Sequence, residues 1–204
     1  MKKQQICILG STGSIGTQAL DVIRQHRDRY EVYCLTAHRQ VELLAQQARE
    51  FQPAAVVIAD ENRYEALKAL LADSPDIKVY AGAAALEQIV TADPIDMVLA
   101  AMVGFAGLLP TINAIKAKKK ICLANKETLV VAGELICSLA QQHHVPILPV
   151  DSEHSAIFQS LVGDADASIE KILLTCSGGP FRHFTPDQLK HVTAADALRH
   201  PTWS

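Results

Sequence analysis

Residues 5–16 read QICILGSTGSIG, a short apolar run that leads into three evenly spaced glycines. The apolar run predicts a β-strand, and the apolar periodicity that follows the glycines predicts a helix. Gly10, Gly13 and Gly16 let a backbone turn tightly and approach an anion, and a helix N-terminus adds free N–H groups. The segment therefore predicts a phosphate-binding turn for a nucleotide, with a plain loop as the alternative because the GxxGxxG spacing is weakly specific. Further hydroxyl donors in the turn are Ser11, Thr12 and Ser14.

The rest of the chain alternates apolar strand-like runs with amphipathic helical patterns. The strand-like runs occupy residues 5–10, 31–37, 54–59, 77–81, 96–103, 121–124, 145–150 and 169–175. Strands that are apolar throughout fit a parallel sheet covered by helices on both faces. The pattern predicts a doubly wound, Rossmann-like α/β fold whose ligand site lies at the carboxyl ends of the strands.

The composition excludes several classes of protein. The net charge of −3 provides no basic surface for nucleic acid, so no nucleic-acid partner is expected. No apolar stretch has the length of a membrane span or of a signal-peptide core, so no membrane partner is expected. The five cysteines are scattered without CxxC spacing, which predicts reduced core residues in a cytoplasmic protein.

The end of the second strand-like run indicates which nucleotide the turn would hold. NAD-specific folds tend to place an acid there for the ribose 2′-hydroxyl, but residues 36–40 read TAHRQ. Arg39, with His38 and Gln40 beside it, suits a 2′-phosphate because a guanidinium offers a planar fork of donors. The sequence therefore favours NADP over NAD, with an exposed arginine at a strand end as the simpler alternative.

The polarity of the chain changes near residue 150, where an apolar run meets an acidic cluster. We expect residues 1–150 to form an NADP-binding Rossmann domain. Residues 151–204 would begin a second, incomplete domain, because about fifty residues are few for an independent core.

Residues 125–127, Asn-Lys-Glu, follow the run 121–124. A lysine at the carboxyl end of a strand can hold a substrate oxygen or a phosphate. The alternative for Lys126 is an exposed ion pair with Glu127 that contributes little.

Residues 151–153, Asp-Ser-Glu, follow the run 145–150. Asp151 and Glu153 could converge on a hard divalent cation, which takes oxygen ligands and tolerates retained waters. A helix N-cap with an acidic first turn and a general acid/base pair are the alternatives. Two carboxylates are too few for a closed protein site, so a further ligand would have to come from elsewhere.

Two neighbouring features are less specific. We interpret His154 as a structural group beside the carboxylates rather than as a catalytic one. The small-residue turn CSGGPF (176–181) could receive a phosphate through its N–H groups and Ser177. Cys176 has no identifiable base near it, so it is not interpreted as a nucleophile.

The ordered motifs together resemble the 1-deoxy-D-xylulose 5-phosphate reductoisomerase family, from residue 6 to residue 204. They are GSTGSIG (10–16), AAMVGFAGLLPT (100–111), LANKETLV (123–130), LPVDSEHSAIFQSL (148–161), LLTCSGGPFR (173–182) and RHPTWS (199–204). Each motif alone is unspecific, whereas VDSEHSAIFQ, ANKE and SGGPF in the same chain are highly specific.

The resemblance implies a cofactor, a metal and a substrate site. NADPH would contact Thr12, Gly13, Ser14, Ile15, His38, Arg39, Gln40, Asn125 and Glu127. Asp151 and Glu153 would bind Mg²⁺ or Mn²⁺. A small phosphorylated sugar would contact Lys126, Ser152, Glu153, Ser177, His200 and Trp203. The catalytic residues would be Lys126, Glu153 and His200, and His200 and Trp203 would lie in a loop that closes over the substrate.

The implied reaction belongs to the non-mevalonate isoprenoid pathway. A metal that polarises neighbouring sugar oxygens would support a rearrangement of 1-deoxy-D-xylulose 5-phosphate to an aldehyde. NADPH would then reduce that aldehyde to 2-C-methyl-D-erythritol 4-phosphate.

The resemblance also bears on assembly and on the length of the chain. It suggests a homodimer. Family members are about twice as long, so residues 151–204 would be the start of an incomplete α/β catalytic domain that binds metal and substrate, and the third metal carboxylate would lie beyond residue 204. We therefore expect the 204-residue chain alone to be inactive while still able to bind NADPH. A non-catalytic NADP-binding module and another NADP-dependent oxidoreductase, such as a semialdehyde dehydrogenase, are the competing interpretations.

Overall fold

The computed structural model describes residues 2–163, 168–174 and 179–199. The chain divides into two compact units, Met1–Ser160 and Leu161–Ser204. The sequence places the domain boundary at residue 150, whereas the first unit continues to Ser160. The division into an NADP-binding domain (1–150) and the start of a catalytic domain (151–204) stays a prediction.

The first unit is built around one parallel sheet, as predicted. Within the described residues its seven strands are β1 (Gln4–Leu9), β2 (Tyr30–Ala37), β3 (Ala55–Ile58), β4 (Lys78–Ala81), β5 (Met97–Ala100), β6 (Lys120–Leu123) and β7 (Ile147–Pro149). Their spatial order is β4-β3-β2-β1-β5-β6-β7, and every neighbouring pair runs parallel. The direction of winding reverses between β1 and β5, which creates the crevice in which doubly wound sheets bind ligands.

Helices connect the strands of the first unit. They are α1 (Ser14–Gln25), α2 (Val41–Phe51), α3 (Tyr64–Leu70), α4 (Ala83–Ile89), α5 (Leu108–Lys116), α6 (Glu127–His143) and α7 (Ser152–Ser160), with 3₁₀ turns at Glu61–Arg63 and Gly104–Gly107. The sequence predicts helices in SIGTQALDVIRQH (14–26), QVELLAQQAREF (40–51) and ETLVVAGELICSLAQQHH (127–144), and these correspond to α1, α2 and α6.

The core lies on both faces of the sheet because β1 buries successive side chains on opposite sides. Ile6 and Ile8 pack in one buried cluster with residues of α1, α2 and α3. Cys7 and Leu9 pack in a second cluster with residues of α4, α5 and α6. A central strand buried on both faces has to be apolar throughout, which is the pattern that the sequence shows.

The prediction of an eighth strand at residues 169–175 is wrong for its described part. Residues 169–174 lie in no strand, and Ile172, Leu173 and Leu174 are exposed. The run has a strand-like apolar pattern, but a strand also needs a hydrogen-bonding neighbour. Within the described residues, no strand pairs with it.

The second unit contains two short capped helices over its described residues. They are α8 (Pro186–Leu189) and α9 (Ala194–Ala197). Thr185 and Thr193 each form a capping box at the helix N-terminus. The rings of Phe181 and Phe184 pack edge to face with centroids 5.3 Å apart.

The cysteines follow the prediction in part. Cys7 and Cys34 are buried with free thiols, and Cys122 is partly buried. Cys137 is exposed on α6, so its interpretation as a core residue is wrong, because it lies on the outward side of that helix. Cys176 lies outside the described residues. Over the part of the chain that the structure covers, no helix has the length and apolarity needed to cross a bilayer.

Close packing between α1 and the glycine turn generates a stability prediction. A Cβ at Gly16 would lie 2.3 Å from the carbonyl oxygen of Gly10 and 2.6 Å from Cα of Ser11, both of them backbone atoms. We expect Gly16→Ala to lower the free energy of unfolding by about 1–3 kcal/mol, measured by urea denaturation. Gly13→Ala is the matched control, since its Cβ would meet only the Gly10 oxygen at 3.4 Å. Equal stability of the two variants would contradict this packing.

Candidate functional site

Hydrogen bonds just past the strand ends align the carboxyl edge of the sheet. Ser11 N donates to Thr36 O (2.8 Å) at β1 and β2, and Ala101 N donates to Leu9 O (3.0 Å) at β1 and β5. On the far side, Asn125 N donates to Ala100 O (3.0 Å) and Val150 N donates to Leu123 O (2.9 Å). The predicted polar clusters that follow β1, β2, β6 and β7 therefore share one edge.

The glycine turn has the geometry expected of an anion-binding turn. Gly10 adopts a φ of +85°, which favours glycine, and a Cβ there would lie 2.9 Å from Ala101 O. Gly13 N donates to Gly10 O (3.1 Å) and closes the turn. Helix α1 starts at Ser14, so the N–H groups of its first turn have no partner within the helix. These groups and the positive end of the helix dipole are available to an anion.

Ser11 has a different role from the one that the sequence suggests. Its side chain is fully buried, and its hydroxyl donates to Gln47 Oε1 (2.7 Å). A phosphate in the groove cannot reach this hydroxyl, so Ser11 supports the turn from below. Thr12 and Ser14 are the hydroxyl residues of the turn that remain accessible.

A groove of about 670 Å³ begins at the glycine turn. Its polar end is formed by the turn and by the residues just after β2, and its walls are mostly apolar. The lining includes Gly10, Thr12, Gly13, His38, Gln40, Ala83, Leu86, Met102, Val103, Phe105 and Leu109. Four predicted cofactor residues therefore line one continuous groove: Thr12, Gly13, His38 and Gln40. Ser14 and Ile15 belong to the first turn of α1 beside it.

Arg39 follows β2, and its side chain is held by an acid that follows the neighbouring strand β3. Its Nε donates to Asp60 Oδ2 (2.9 Å), which follows β3. The Arg39 side chain is 66% exposed and the Asp60 side chain only 14%, so a fixed carboxylate holds a largely exposed guanidinium. Because the contact uses Nε, the two terminal nitrogens remain available to a phosphate.

Asn125 is buried beneath the groove wall. Its Nδ2 donates to the carbonyl oxygens of Met102 and of Gly104 (3.1 Å), and its Oδ1 accepts from Thr128 N (3.2 Å) and from the Thr128 hydroxyl. The side chain thereby joins the 102–104 segment to the start of α6. Only 2% of Asn125 is exposed, so in this conformation it supports the wall rather than forming its surface. Glu127 also contacts the amide, at 3.3 Å.

Lys126 connects the Asn-Lys-Glu segment after β6 with the Asp-Ser-Glu segment after β7. Its Nζ lies 3.1 Å from Asp151 Oδ2 and 3.9 Å from Glu153 Oε2. The Asp151 side chain is 8% exposed, whereas those of Lys126 and Glu153 are about half exposed. Ser152 is the exposed first residue of α7. Four predicted site residues thus lie in one small cluster at the sheet edge.

Asp151 also caps α7, which is one of the alternatives that the sequence leaves open. Its Oδ1 accepts from His154 N (3.2 Å) and contacts Nδ1 of the same histidine. His154 therefore has the supporting position expected of it. Capping uses Oδ1 and Lys126 uses Oδ2, so the cap and the charged cluster coexist.

The electrostatics keep this cluster charged. The hydrogen bonds from the His154 ring and backbone, together with that from Lys126, outweigh the effect of burial and lower the pKa of Asp151 to about 2. The hydrogen bond to Asp151 and the charges of both carboxylates raise the pKa of Lys126. Asp151 is therefore an anion at neutral pH and can attract a cation.

Several predicted residues cannot be placed. Ser177, His200 and Trp203 lie outside the described residues. Their assignment to the substrate site stays a prediction.

The structure adds residues that the sequence did not single out. Asp60 follows β3 directly, so the strand-end signal that identified Arg39 could have identified it too. Phe105 and Leu109 form an apolar wall of the groove. Gln47 is buried on α2 and contacts Ser11, and nothing in the local sequence marks it.

Comparison with known families gives two matches along the chain. A description of 1-deoxy-D-xylulose 5-phosphate reductoisomerase matches residues 6–133, and one of the C-terminal domain of that enzyme matches residues 147–204.

Curated relatives with the same name cover nearly the whole chain. The relative from Bacteroides thetaiotaomicron is 68% identical over 202 residues, and that from Porphyromonas gingivalis is 61% identical over 202 residues. Each alignment covers 99% of this chain and 52% of the relative. The chain thus spans about half the length of the curated relatives it matches.

Solved structures of similar proteins show the same fold. The reductoisomerase from Zymomonas mobilis in complex with NADPH superposes with a TM-score of 0.87 at 42% identity, covering 98% of this chain and 52% of that one. A reductoisomerase in complex with NADPH, fosmidomycin and magnesium has a TM-score of 0.82 at 38% identity, with the same coverage of both chains.

Proposed function

The chain belongs to the 1-deoxy-D-xylulose 5-phosphate reductoisomerase family, and on this premise we propose that it serves the NADPH-dependent and metal-dependent conversion of 1-deoxy-D-xylulose 5-phosphate to 2-C-methyl-D-erythritol 4-phosphate. This reaction belongs to the non-mevalonate route to isoprenoids. The observation that carries the proposal is the shared sheet edge, where a nucleotide groove and a lysine–carboxylate cluster follow neighbouring strands. A semialdehyde dehydrogenase is excluded by the family.

The groove fits NADPH through its polar end and its apolar walls. The glycine turn and the first turn of α1 offer N–H groups for the pyrophosphate. His38, Arg39 and Gln40 would surround the ribose 2′-phosphate, with Arg39 aimed by Asp60. The apolar walls suit the planar bases. The similar protein from Zymomonas mobilis was solved in complex with NADPH, which supports the same cofactor for this chain.

The carboxylate cluster fits a hard divalent cation that keeps part of its water shell. Asp151 and Glu153 both lie within 4 Å of one ammonium group, so their negative charges face a common point. Mg²⁺ is commonly held by one or two carboxylates together with substrate oxygens. Related structures contain magnesium, and Mn²⁺ is the other ion that we propose for this site.

Each residue of the cluster then has a chemical role. When bound, the ion supplies Lewis-acid polarisation of the sugar oxygens, and NADPH supplies a hydride. Asp151 and Glu153 would hold the ion, and Glu153 and Ser152 would contact sugar oxygens. Lys126 would carry positive charge to a substrate oxygen, because its ammonium group lies beside both carboxylates and its side chain is about half exposed.

Ser177 would bind the substrate phosphate, and His200 and Trp203 would close over the substrate. Asn125 and Glu127 would belong to the cofactor site, Asn125 by supporting the groove wall from beneath. These assignments of contact and closure rest on the family motifs SGGPF, RHPTWS and ANKE.

We also propose that this chain binds NADPH. Within the residues that the structure describes, no three His, Cys, Asp or Glu side chains converge as metal ligands. The family supports a homodimer, and the free thiols of Cys7 and Cys34 support a cytoplasmic location.

Arg39 tests the nucleotide assignment. We expect Arg39→Gln to weaken NADPH binding by about tenfold and to leave NADH binding unchanged, because only NADPH has the 2′-phosphate. Isothermal titration calorimetry of the chain with both nucleotides measures this. Arg63→Gln, an exposed arginine outside the groove, should change neither affinity. An equal loss for NADPH and NADH would contradict the proposed position of the 2′-phosphate.

Asp151 tests the cation assignment. We expect Asp151→Asn to weaken Mn²⁺ binding by about tenfold or more, since a charged ligand is replaced by a neutral one of the same shape. The free ion can be followed by its electron paramagnetic resonance signal during titration. Glu134→Gln makes the same charge change at an exposed position on α6 and should have no effect. Equal Mn²⁺ affinities of the Asp151 variant and wild type would remove the metal site.

A further inference from the structure

A buried pair of hydrogen bonds joins the glycine turn to a helix that does not touch the groove. Ser11 Oγ donates to Gln47 Oε1 (2.7 Å), and Gln47 Nε2 donates to Ser11 O (3.0 Å). Gln47 is on α2, is 6% exposed and does not line the groove. One amide therefore satisfies both the side chain and the backbone carbonyl of a residue within the turn.

Strand β2 supports the same turn from a second direction. Gly10 N donates to Thr36 Oγ1 (2.9 Å), and Ser11 N donates to Thr36 O (2.8 Å). Both Thr36 and Ser11 are buried. The N–H, the C=O and the hydroxyl of Ser11 are all bonded to the scaffold, while Thr12 and Gly13, the next two residues, line the groove.

We propose that Gln47 is a positioning residue that holds the glycine turn in its phosphate-binding conformation. The inference rests on the proposed binding of a dinucleotide and adds a residue that acts on its pyrophosphate through Ser11. A turn with glycines at 10, 13 and 16 has many accessible backbone conformations when it is free. Anchoring Ser11 removes those conformations before the ligand arrives, so less ordering is needed on binding.

Loss of the Gln47 amide would disturb the turn because the Ser11 carbonyl that it bonds is buried. An apolar residue of similar size at position 47 would leave the Ser11 carbonyl without its side-chain donor in a buried place. The turn could then satisfy that carbonyl only by shifting toward water, which would move the N–H groups of the following residues. The hydrogen bonds of the Gln47 side chain go to Ser11 and not to His38, Arg39 or Gln40, so we expect the 2′-phosphate region to be affected less.

The test is a set of three ligands and matched variants of the 204-residue chain. NADPH and ADP-ribose both contain the pyrophosphate, whereas adenosine 2′-monophosphate contains only the phosphate assigned to the Arg39 region. Gln47→Met removes the buried amide, and Gln46→Met makes the same change at the exposed neighbour on the same helix. Dissociation constants are measured calorimetrically well below the thermal midpoint of each variant, so that the folded fraction is the same.

We expect Gln47→Met to weaken the binding of NADPH and of ADP-ribose by about threefold to tenfold and to leave the binding of adenosine 2′-monophosphate unchanged. Gln46→Met should bind all three ligands with wild-type affinity. Ser11→Ala removes the hydroxyl but keeps the bond from Nε2 to the carbonyl. It should lose less affinity, and combining it with Gln47→Met should add little, because both act through one contact.

Several outcomes would overturn the inference. One is a lower thermal midpoint for Gln47→Met with wild-type affinity for NADPH and ADP-ribose, which would make the pair purely structural. Another is an equal loss of affinity for all three ligands in Gln47→Met. If Gln47→Met does not fold, wild-type affinities of Ser11→Ala would have the same consequence. Failure of the wild-type chain to bind NADPH would instead overturn the proposed function, on which the inference depends.

Discussion

Parallel pairing of β1 with both β2 and β5 is the constraint on which the rest of the structure depends. It forces the chain to leave the sheet at Gly10 between two other strand ends, where only a glycine fits against Ala101 O. The same pairing requires β1 to be apolar on both faces and places helices on each. The groove, the Arg39 region and the Lys126–Asp151 cluster share an edge because every strand runs in one direction.

The site is held largely by polar groups that do not themselves face a ligand. Gln47 and Thr36 support the turn, Asp60 holds Arg39, and Asn125 supports the groove wall. In each case a buried or largely buried polar side chain forms a hydrogen bond with a residue of the site surface or with the residue next to it in the chain. This arrangement places the flexible glycine turn and an exposed guanidinium on a rigid sheet, which favours binding with little reorganisation.

The sequence predicted what depends on local pattern and missed what depends on distant contacts. Periodicity identified α1, α2 and the strands of the sheet, and strand ends identified Lys126, Asp151 and Glu153 as neighbours. The partner of Ser11 lies 36 residues away, so no local pattern could show that its hydroxyl is occupied. The run 169–175 looked like a strand because apolarity is local, whereas pairing needs a neighbour. The acidic cluster has three possible interpretations from sequence: a helix cap, a cation site or an acid/base pair. The structure shows the cap, through Asp151 Oδ1, while Oδ2 lies beside Lys126, and the cation site stays a prediction.

The central claim is that the carboxyl edge beside β1 holds the dinucleotide. Hydrogen–deuterium exchange of the chain with and without saturating NADPH tests it directly. The account predicts slower exchange in residues 10–17 and 36–41, with no change in Lys78–Ala81 at the outer edge of the sheet. Unchanged exchange in residues 10–17 under conditions in which NADPH is bound would contradict it.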